Sequence, residues 1–253
     1  MPRSPRDTLL AVSEGRNKTL ADFRAVLEWV QAQGVDATVI GGVAVGAYAA
    51  NVGAVVFSAD LDLLTTPEQQ DRLAQASAME PRLEVVKRPQ ARHLPILVMR
   101  WDGLEADVLT QSAGLPEPTV AFSRAWSIEG VWVADPLDLL SNKLAVHRDK
   151  DVEHIRILRS LSEGFCLFFL ESRPGRQAIE YLQRWARVEG WSSIPEDLFV
   201  ELRGGAARSS PEARRYLVSK AGSRAQALAV SELAPAQERE ALAAIVAARF
   251  PEF

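Results

Sequence analysis

Ser58-Ala59-Asp60-Leu61-Asp62-Leu63-Leu64 places two aspartates one residue apart in an otherwise apolar run. In a β-strand, residues i and i+2 point to the same face, so both carboxylates are predicted to lie together while the leucines face the core. Two carboxylates on one face are costly unless a cation or another partner neutralises them. The run therefore predicts a strand that carries a charged site, although a solvated strand end would show the same pattern.

A third carboxylate follows in Leu104-Glu105-Ala106-Asp107-Val108-Leu109, where apolar and acidic residues alternate. The alternation predicts a second strand with Asp107 on the face away from the core. Taken alone, it is also typical of a half-exposed strand. Three carboxylates on neighbouring strands would suit Mg²⁺, a hard ion that prefers oxygen ligands.

Upstream, Gly41-Gly42 lies between a predicted strand at 36–40 and a predicted helix at 43–50. Glycine lets the backbone approach a ligand closely, and the N-terminus of a helix offers N–H groups to an anion such as a triphosphate. A tight turn without a ligand is the alternative. The order of strand, Gly-Gly, helix, Asp-x-Asp strand and single-Asp strand predicts a two-metal site, in which ions about 4 Å apart support in-line phosphoryl transfer.

The remaining pattern predicts an α+β protein with a mixed β-sheet, flanking helices and an all-helical C-terminal region. A helix is expected at 18–33, ended by Gly34, and another is expected to begin with Thr66 as N-cap and Pro67 in its first turn. Further strands are expected near 82–88, 94–101, 104–110 and 131–133, with irregular chain over 111–130.

The character of the chain changes at Asp135-Pro136, a typical helix start. We therefore expect two domains, residues 1–134 and residues 135–253. Helices should continue almost to the end, with breaks at 173–175, Gly190, Pro195, Gly204-Gly205 and Pro235.

The composition places few limits on function. Of 253 residues, 47% are hydrophobic and 25% are charged, which is ordinary for a globular protein, and the net charge of −4 does not indicate a nucleic-acid partner. The single cysteine, Cys166, excludes an internal disulfide. With no membrane-spanning stretch and no signal peptide, we expect a cytoplasmic protein without a membrane partner.

Together these motifs resemble the nucleotidyltransferase (DNA polymerase β-like) superfamily, and within it the AbiEii-type group, which includes toxins of toxin–antitoxin and phage-defence systems. The resemblance covers about residues 36–160. Within that range it includes the segments Ala134–Ala145 and Arg148-Asp149-Lys150-Asp151. It implies a nucleotidyltransferase domain at 1–134 that uses Mg²⁺, as two ions, or Mn²⁺.

The resemblance also implies residue roles. Asp60, Asp62 and Asp107 would be the catalytic, metal-binding carboxylates. The residues that would bind the NTP, with ATP among the candidates, are Gly41, Gly42, Ser58, Lys143 and Asp151.

One position departs from the group, and three others have a simpler interpretation. Relatives often carry arginine four residues before the first aspartate, where this chain has Val56. A cation near the incoming phosphate is therefore either missing or supplied elsewhere, with Arg92 and Lys143 as the candidates. Lys143 could instead be a solvated residue on an amphipathic helix. Lys150 and Asp151 could likewise be surface charges of the next helix.

The sequence leaves more than one interpretation of the acceptor of the nucleotide open. Residues 203–224 carry six cations against Glu212 alone, which fits either RNA docking or a solvated helical face. Trp185 and Trp191 are expected to be core residues, and His147 and His154 are not expected to bind zinc. The leading hypothesis is nucleotide transfer to RNA, such as tRNA, by a toxin with a cognate antitoxin. The alternatives are transfer to a small molecule such as an antibiotic, or an inactive nucleotide-binding homologue.

Overall fold

A mixed β-sheet organises the N-terminal part of the chain. The computed structural model describes residues 18–49, 53–56, 58–87, 96–172, 175–206 and 208–251. Seven strands form the sheet within these ranges, in the order β3-β4-β5-β2-β1-β7-β6. They are β1 Thr38–Ile40, β2 Leu61–Leu64, β3 Leu83–Lys87, β4 Ile96–Trp101, β5 Leu104–Leu109, β6 Trp126–Ile128 and β7 Val131–Val133.

Eleven α-helices accompany the sheet in the described part of the chain. They are α1 Arg24–Ala32, α2 Gly41–Ala49, α3 Pro67–Ala76, α4 Pro118–Arg124, α5 Pro136–Val146, α6 Val152–Ser172, α7 Gly175–Glu189, α8 Glu196–Ala206, α9 Pro211–Lys220, α10 Arg224–Leu233 and α11 Ala236–Arg249. Short 3₁₀ turns cover Ser77–Met79 and Asp149–Asp151. The predicted α+β class with a mixed sheet is confirmed. None of the helices formed by the described residues is both long and apolar enough to cross a membrane.

The sheet is mixed because its central strand, β2, has neighbours of opposite direction. It pairs antiparallel with β1 and parallel with β5. Leu61 and Leu63 are fully buried, whereas Asp62 between them is partly exposed. Alternation along β2 therefore has the predicted sense, with the leucines in the core and the carboxylate on the opposite face.

Helix starts follow the predicted capping rules. Thr66 accepts a hydrogen bond from the backbone N–H of Gln69 at the start of α3, with Pro67 in the first turn. Asp135 accepts one from the N–H of Leu137 at the start of α5. Such side chains satisfy N–H groups that have no partner inside the helix. Gly34, with φ +65°, follows the end of α1 as expected.

Three predicted segments differ in the structure. The helix predicted at 18–33 begins only at Arg24, because the side chain of Asp22 accepts hydrogen bonds from the N–H and hydroxyl of Thr19 and holds a turn there.

Residues 111–130 are not irregular throughout. Pro118 begins α4, as proline at a first helical position does, and Glu129-Gly130 form the positive-φ turn between β6 and β7.

The third difference lies at Gly204-Gly205, where a break was predicted and α8 instead continues. A Cβ atom built on Gly205 would lie 3.5 Å from side-chain atoms of Leu167 and Leu170, which is an ordinary van der Waals distance. The glycine therefore neither ends the helix nor is required there by a close contact.

The chain divides into two compact units, Met1–Arg159 and Ser160–Phe253. The predicted domain boundary at residue 134 marks the end of the last strand, β7, whereas the compact division falls within α6. The second unit is helical, as the sequence predicted for this region. Its core includes Leu170, Leu182, Phe199, Leu202, Leu217, Val218 and Val230.

Gly41 joins β1 to α2 in a place that admits no side chain. Ile40 pairs with Asp62 across the two strands, so the next residue turns directly beside that carboxylate. Gly41 has φ +70°, and a Cβ atom built on it would lie 1.9 Å from Asp62 Oδ2. Both the backbone conformation and the missing space require glycine.

We predict that Gly41→Ala destabilises the protein, whereas Gly46→Ala on the same helix does not. The left-handed backbone alone should cost Gly41→Ala about 1–2 kcal/mol, before the collision with Asp62 is counted. Gly46 has ordinary space around it, so alanine there should stabilise α2 by about 0.5–1 kcal/mol. Urea denaturation measures both free energies of unfolding, and equal midpoints for the two variants would contradict this account.

Candidate functional site

Three carboxylates converge on one face of the sheet. One oxygen from each of Asp60, Asp62 and Asp107 lies within 4.8 Å of the other two. Asp62 and Asp107 are direct partners in the parallel pairing of β2 with β5. The strand register therefore brings together two residues that are far apart in the sequence.

Asp60 reaches the cluster by a different route from the one expected. It lies in a bend just before β2, so the i, i+2 strand argument does not strictly apply to it. Ser58 Oγ donates a hydrogen bond to the Asp60 carbonyl oxygen at 3.1 Å, and the Ser58 carbonyl accepts one from Lys18 N at 2.9 Å. Ser58, predicted as a phosphate-binding residue, is thus placed where it holds the bend that presents Asp60.

The cluster is electrostatically strained. The pKa of Asp62 is raised to about 7, first by burial and then by the negative charges of Asp60 and Asp107, which the cations of Lys143 and Arg148 offset only in part. Three carboxylates this close repel one another, and a bound divalent cation would remove that repulsion. An all-oxygen donor set fits a hard ion such as Mg²⁺ or Mn²⁺.

The three carboxylates line a cavity of about 820 Å³. The cavity brings together most of the predicted site. Of the predicted residues, its lining includes Gly42, Ser58, Asp60, Asp62, Asp107, Lys143 and Asp151. Gly41 lies next to the lining, against Asp62. Val56, Arg148, Lys150 and His154 also line the cavity.

Lys143 and Asp151 form a buried ion pair at the cavity wall. Their side chains are 3% and 0% exposed, and Lys143 Nζ lies 3.2 Å from Asp151 Oδ1. The interpretations of Lys143 and Asp151 as solvated surface charges are therefore wrong. Burial lowers the pKa of Lys143, although the charge of Asp151 opposes that shift.

Arg148 is the cation that the sequence analysis did not assign. Its Nε and Nη2 atoms donate to the two oxygens of Asp151, at 2.7 and 3.2 Å. Burial raises the pKa of Asp151, but these bonds and the charge of Lys143 outweigh it and hold the pKa at about 2. Asp151 thus fixes two cations at the cavity.

Arg148 also bears on the position of Val56, where proteins of the group that the sequence resembles often carry arginine. Arg148 adds a positive charge to the same cavity, and its charge acts on Asp62. The signal was present in Arg148-Asp149-Lys150-Asp151, because Arg and Asp three residues apart at a helix start can contact each other. Arg92, the other proposed source of a cation, lies outside the described residues.

His154 is a second cavity residue that sequence reasoning did not assign. It is half-buried, and its Nδ1 lies 3.5 Å from Asp151 Oδ1. Burial lowers its pKa, and the nearby positive charge of Lys143 lowers it further. Both effects favour the neutral imidazole, and the charge of Asp151 opposes them.

In the C-terminal unit, the basic segment 203–224 is less exposed than its composition suggests. Arg214 is 4% exposed and donates to both oxygens of Glu238, at 2.9 and 2.7 Å. Arg208 is paired with Glu171. Two of the six cations are therefore neutralised within the unit, which weakens the case for this segment as an RNA-docking surface.

No protein-family model matches this chain, and no curated protein matches it. The case for a function therefore depends on the geometry of the cavity and on the resemblance of its motifs.

We predict that Asp62→Asn stabilises the metal-free protein at pH 8. Folding raises the pKa of the Asp62 carboxyl from near 4 to about 7. The contribution of this carboxyl to the stability of the fold is fully present below pH 4 and is lost as the pH rises through about 7. Asparagine removes the repelled charge, and the gain should be about 2–4 kcal/mol at pH 8. The gain should shrink as the pH falls towards 4.

Urea denaturation in EDTA at pH 8, 6 and 4.5 measures this difference. Asp71→Asn, an exposed aspartate on α3, is the matched control and should show no such trend. A wild-type protein more stable than Asp62→Asn at pH 8 without metal would contradict the repulsion described here.

We also predict that Asp151→Asn destabilises the protein by about 3–5 kcal/mol, because it leaves the buried Lys143 without a counter-charge. Glu153→Gln is the control. Glu153 is an exposed neighbour paired with Arg156 at the surface, so its loss should change stability little. Thermal unfolding at pH 7 compares the two variants, and equal losses would argue against a special role for Asp151.

Proposed function

We propose that the chain is a metal-dependent nucleotidyltransferase of the DNA polymerase β-like superfamily, similar to the AbiEii-type group. It would transfer a nucleotide from an NTP to RNA, with tRNA as the expected acceptor. One observation carries the proposal. Three carboxylates from two paired segments meet within 4.8 Å in a cavity that is also lined by the cationic side chains of Lys143, Arg148 and Lys150.

The residues that would hold Mg²⁺ or Mn²⁺ are Asp60, Asp62 and Asp107. Their fit is supported by the donor set, which is all carboxylate, and by the burial and the repulsion from Asp60 and Asp107 that together raise the pKa of Asp62. When bound, the metal would supply charge neutralisation at the phosphates and a lower pKa for the acceptor hydroxyl.

The chain's own residues would position the triphosphate. Gly42 lines the cavity in the first turn of α2, where helix N–H groups have no partner within the helix and favour anions. Arg148, 47% exposed, would contact phosphate oxygens while Asp151 fixes its orientation. Lys143 lines the cavity but is only 3% exposed, so it would contribute mainly its positive charge. Phosphoryl transfer depends mainly on such positioning and charge compensation.

The balance of charges favours an active enzyme over an inactive homologue. Because burial and the neighbouring carboxylates raise the pKa of Asp62, we expect the three acids to destabilise the metal-free fold. Such a cost is expected where function requires a site that stability alone would not favour. The choice of RNA rather than a small molecule follows from the resemblance to the toxin group. A toxin of this kind would have a cognate antitoxin, encoded beside it.

A transfer assay tests the proposal. The wild-type protein is incubated with each of the four α-labelled NTPs and total cellular RNA, with Mg²⁺, Mn²⁺ or EDTA. We expect metal-dependent labelling of RNA, reduced by about 100-fold or more in Asp60→Asn, because the variant lacks one of the carboxylates that would hold the charge-neutralising metal. Asp71→Asn serves as the control for folding and charge and should retain activity.

The alternatives predict different products. Label found only on small molecules would overturn RNA as the acceptor and favour the antibiotic-type transfer. Absence of transfer to any acceptor, with Mg²⁺ and NTP still raising the melting temperature, would indicate an inactive nucleotide-binding protein. RNA labelling that is equal in Asp60→Asn and wild type would contradict the carboxylate site itself.

A further inference from the structure

The C-terminal unit contains its own cavity, of about 540 Å³. It lies among the end of α7, the loop after that helix, and α9, and every lining residue falls between Leu182 and Lys220. The volume lies within the range of small-molecule sites. Neither the carboxylate site nor the proposed transfer reaction uses it.

One wall of the cavity is an immobilised aromatic ring. Trp191 is half-buried and lines the cavity, whereas Trp185 is 3% exposed and lies behind it, with ring centroids 5.3 Å apart. The backbone N–H of Trp191 donates to the Ala186 carbonyl at 2.9 Å, which fixes the chain just after α7. The expected core role holds for Trp185, but Trp191 presents a surface on which a planar group can stack.

Two cationic side chains also line the cavity. Arg187 and Lys220 line the cavity, and no carboxylate is among the described residues of its lining. Arg187 Nε donates to the Gln183 carbonyl at 3.3 Å, which restrains the guanidinium. Tyr216 adds a hydroxyl whose pKa is raised by burial, so it stays a neutral hydrogen-bonding group.

From this combination we infer that the cavity binds a nucleotide, with its base stacked on Trp191 and its phosphate between Arg187 and Lys220. A flat aromatic surface beside two cations matches a planar base that carries an anion. Ser192 and Ser193 line the same cavity and offer hydroxyls to the sugar or base edge. The nucleotide is either free or one unit of a single-stranded RNA, since both present this chemistry.

Binding is measured with the full-length protein in EDTA, so that the metal-dependent site does not contribute. The probes are AMP, GMP, CMP and UMP by calorimetry, and a fluorescent single-stranded RNA decamer by anisotropy. Trp191→Ala should weaken binding by about 5- to 100-fold, the range for one stacked base. Trp191→Phe keeps a ring and should retain most of the affinity.

Arg187→Gln and Lys220→Gln should each weaken binding several-fold and flatten its dependence on salt, because each removes a phosphate contact. Arg203→Gln removes the same charge from an exposed position on α8 outside the cavity and should leave binding unchanged. Circular dichroism melts verify that each variant is folded. If Trp191→Ala does not fold, the Arg187 and Lys220 variants and Trp191→Phe carry the test.

The two sources of the nucleotide give different results. A decamer that binds far more tightly than any mononucleotide, with a steeper salt dependence, identifies RNA, whereas equal affinities identify a free nucleotide. Absence of binding by every probe at millimolar concentration overturns the inference, as does unchanged affinity in the Arg187 and Lys220 variants. The inference is independent of the proposed transfer reaction, because Asp60→Asn should bind these probes as wild type does.

Discussion

The carboxylate cluster exists because strand register forces like charges together. Asp107 is the direct partner of Asp62, and the bend before β2 adds Asp60 to the same face. The apolar side chains between them fill the core, so the strands cannot slip to relieve the repulsion without moving their leucines into water. Core packing therefore supplies the free energy that holds an unfavourable arrangement of charge, and a cation is the natural complement of that arrangement.

A second charged centre, formed by Lys143, Arg148 and Asp151, lines the same cavity. Asp151 is fully buried yet ionised, because Lys143 and Arg148 both contact it. Buried ion pairs add little net stability, but they fix orientation when all partners are present. The cavity thus combines a cluster of three carboxylates with Asp151 and its two cations, and each group is held by its own set of contacts. That separation suits a ligand that carries phosphates and metal together.

The sequence predicted the local parts of this structure well. Alternation identified β2 and β5, and capping residues identified the starts of α3 and α5. Two kinds of feature were missed. Pro118 lies in the range 111–130, which was predicted to be irregular. Proline is common both in loops and at the first position of a helix, so Pro118 alone does not predict a helix start. Contacts between distant segments were also missed, such as Gly41 against Asp62, because only strand register decides which residues meet. The contact between Arg148 and Asp151 joins residues three apart in the sequence, so it could be predicted from their spacing.

The distance along the chain between the parts of the cavity has a consequence for synthesis on the ribosome. The pairing of β2 with β5 is parallel and joins residues that the ribosome adds far apart in time, and Asp151 is added later still. A nascent chain that stops before Asp151 lacks the residue that fixes both cations. Non-local pairings also form slowly. The complete cavity is therefore assembled only once most of the first unit has been translated, so that fragments released early would not carry it.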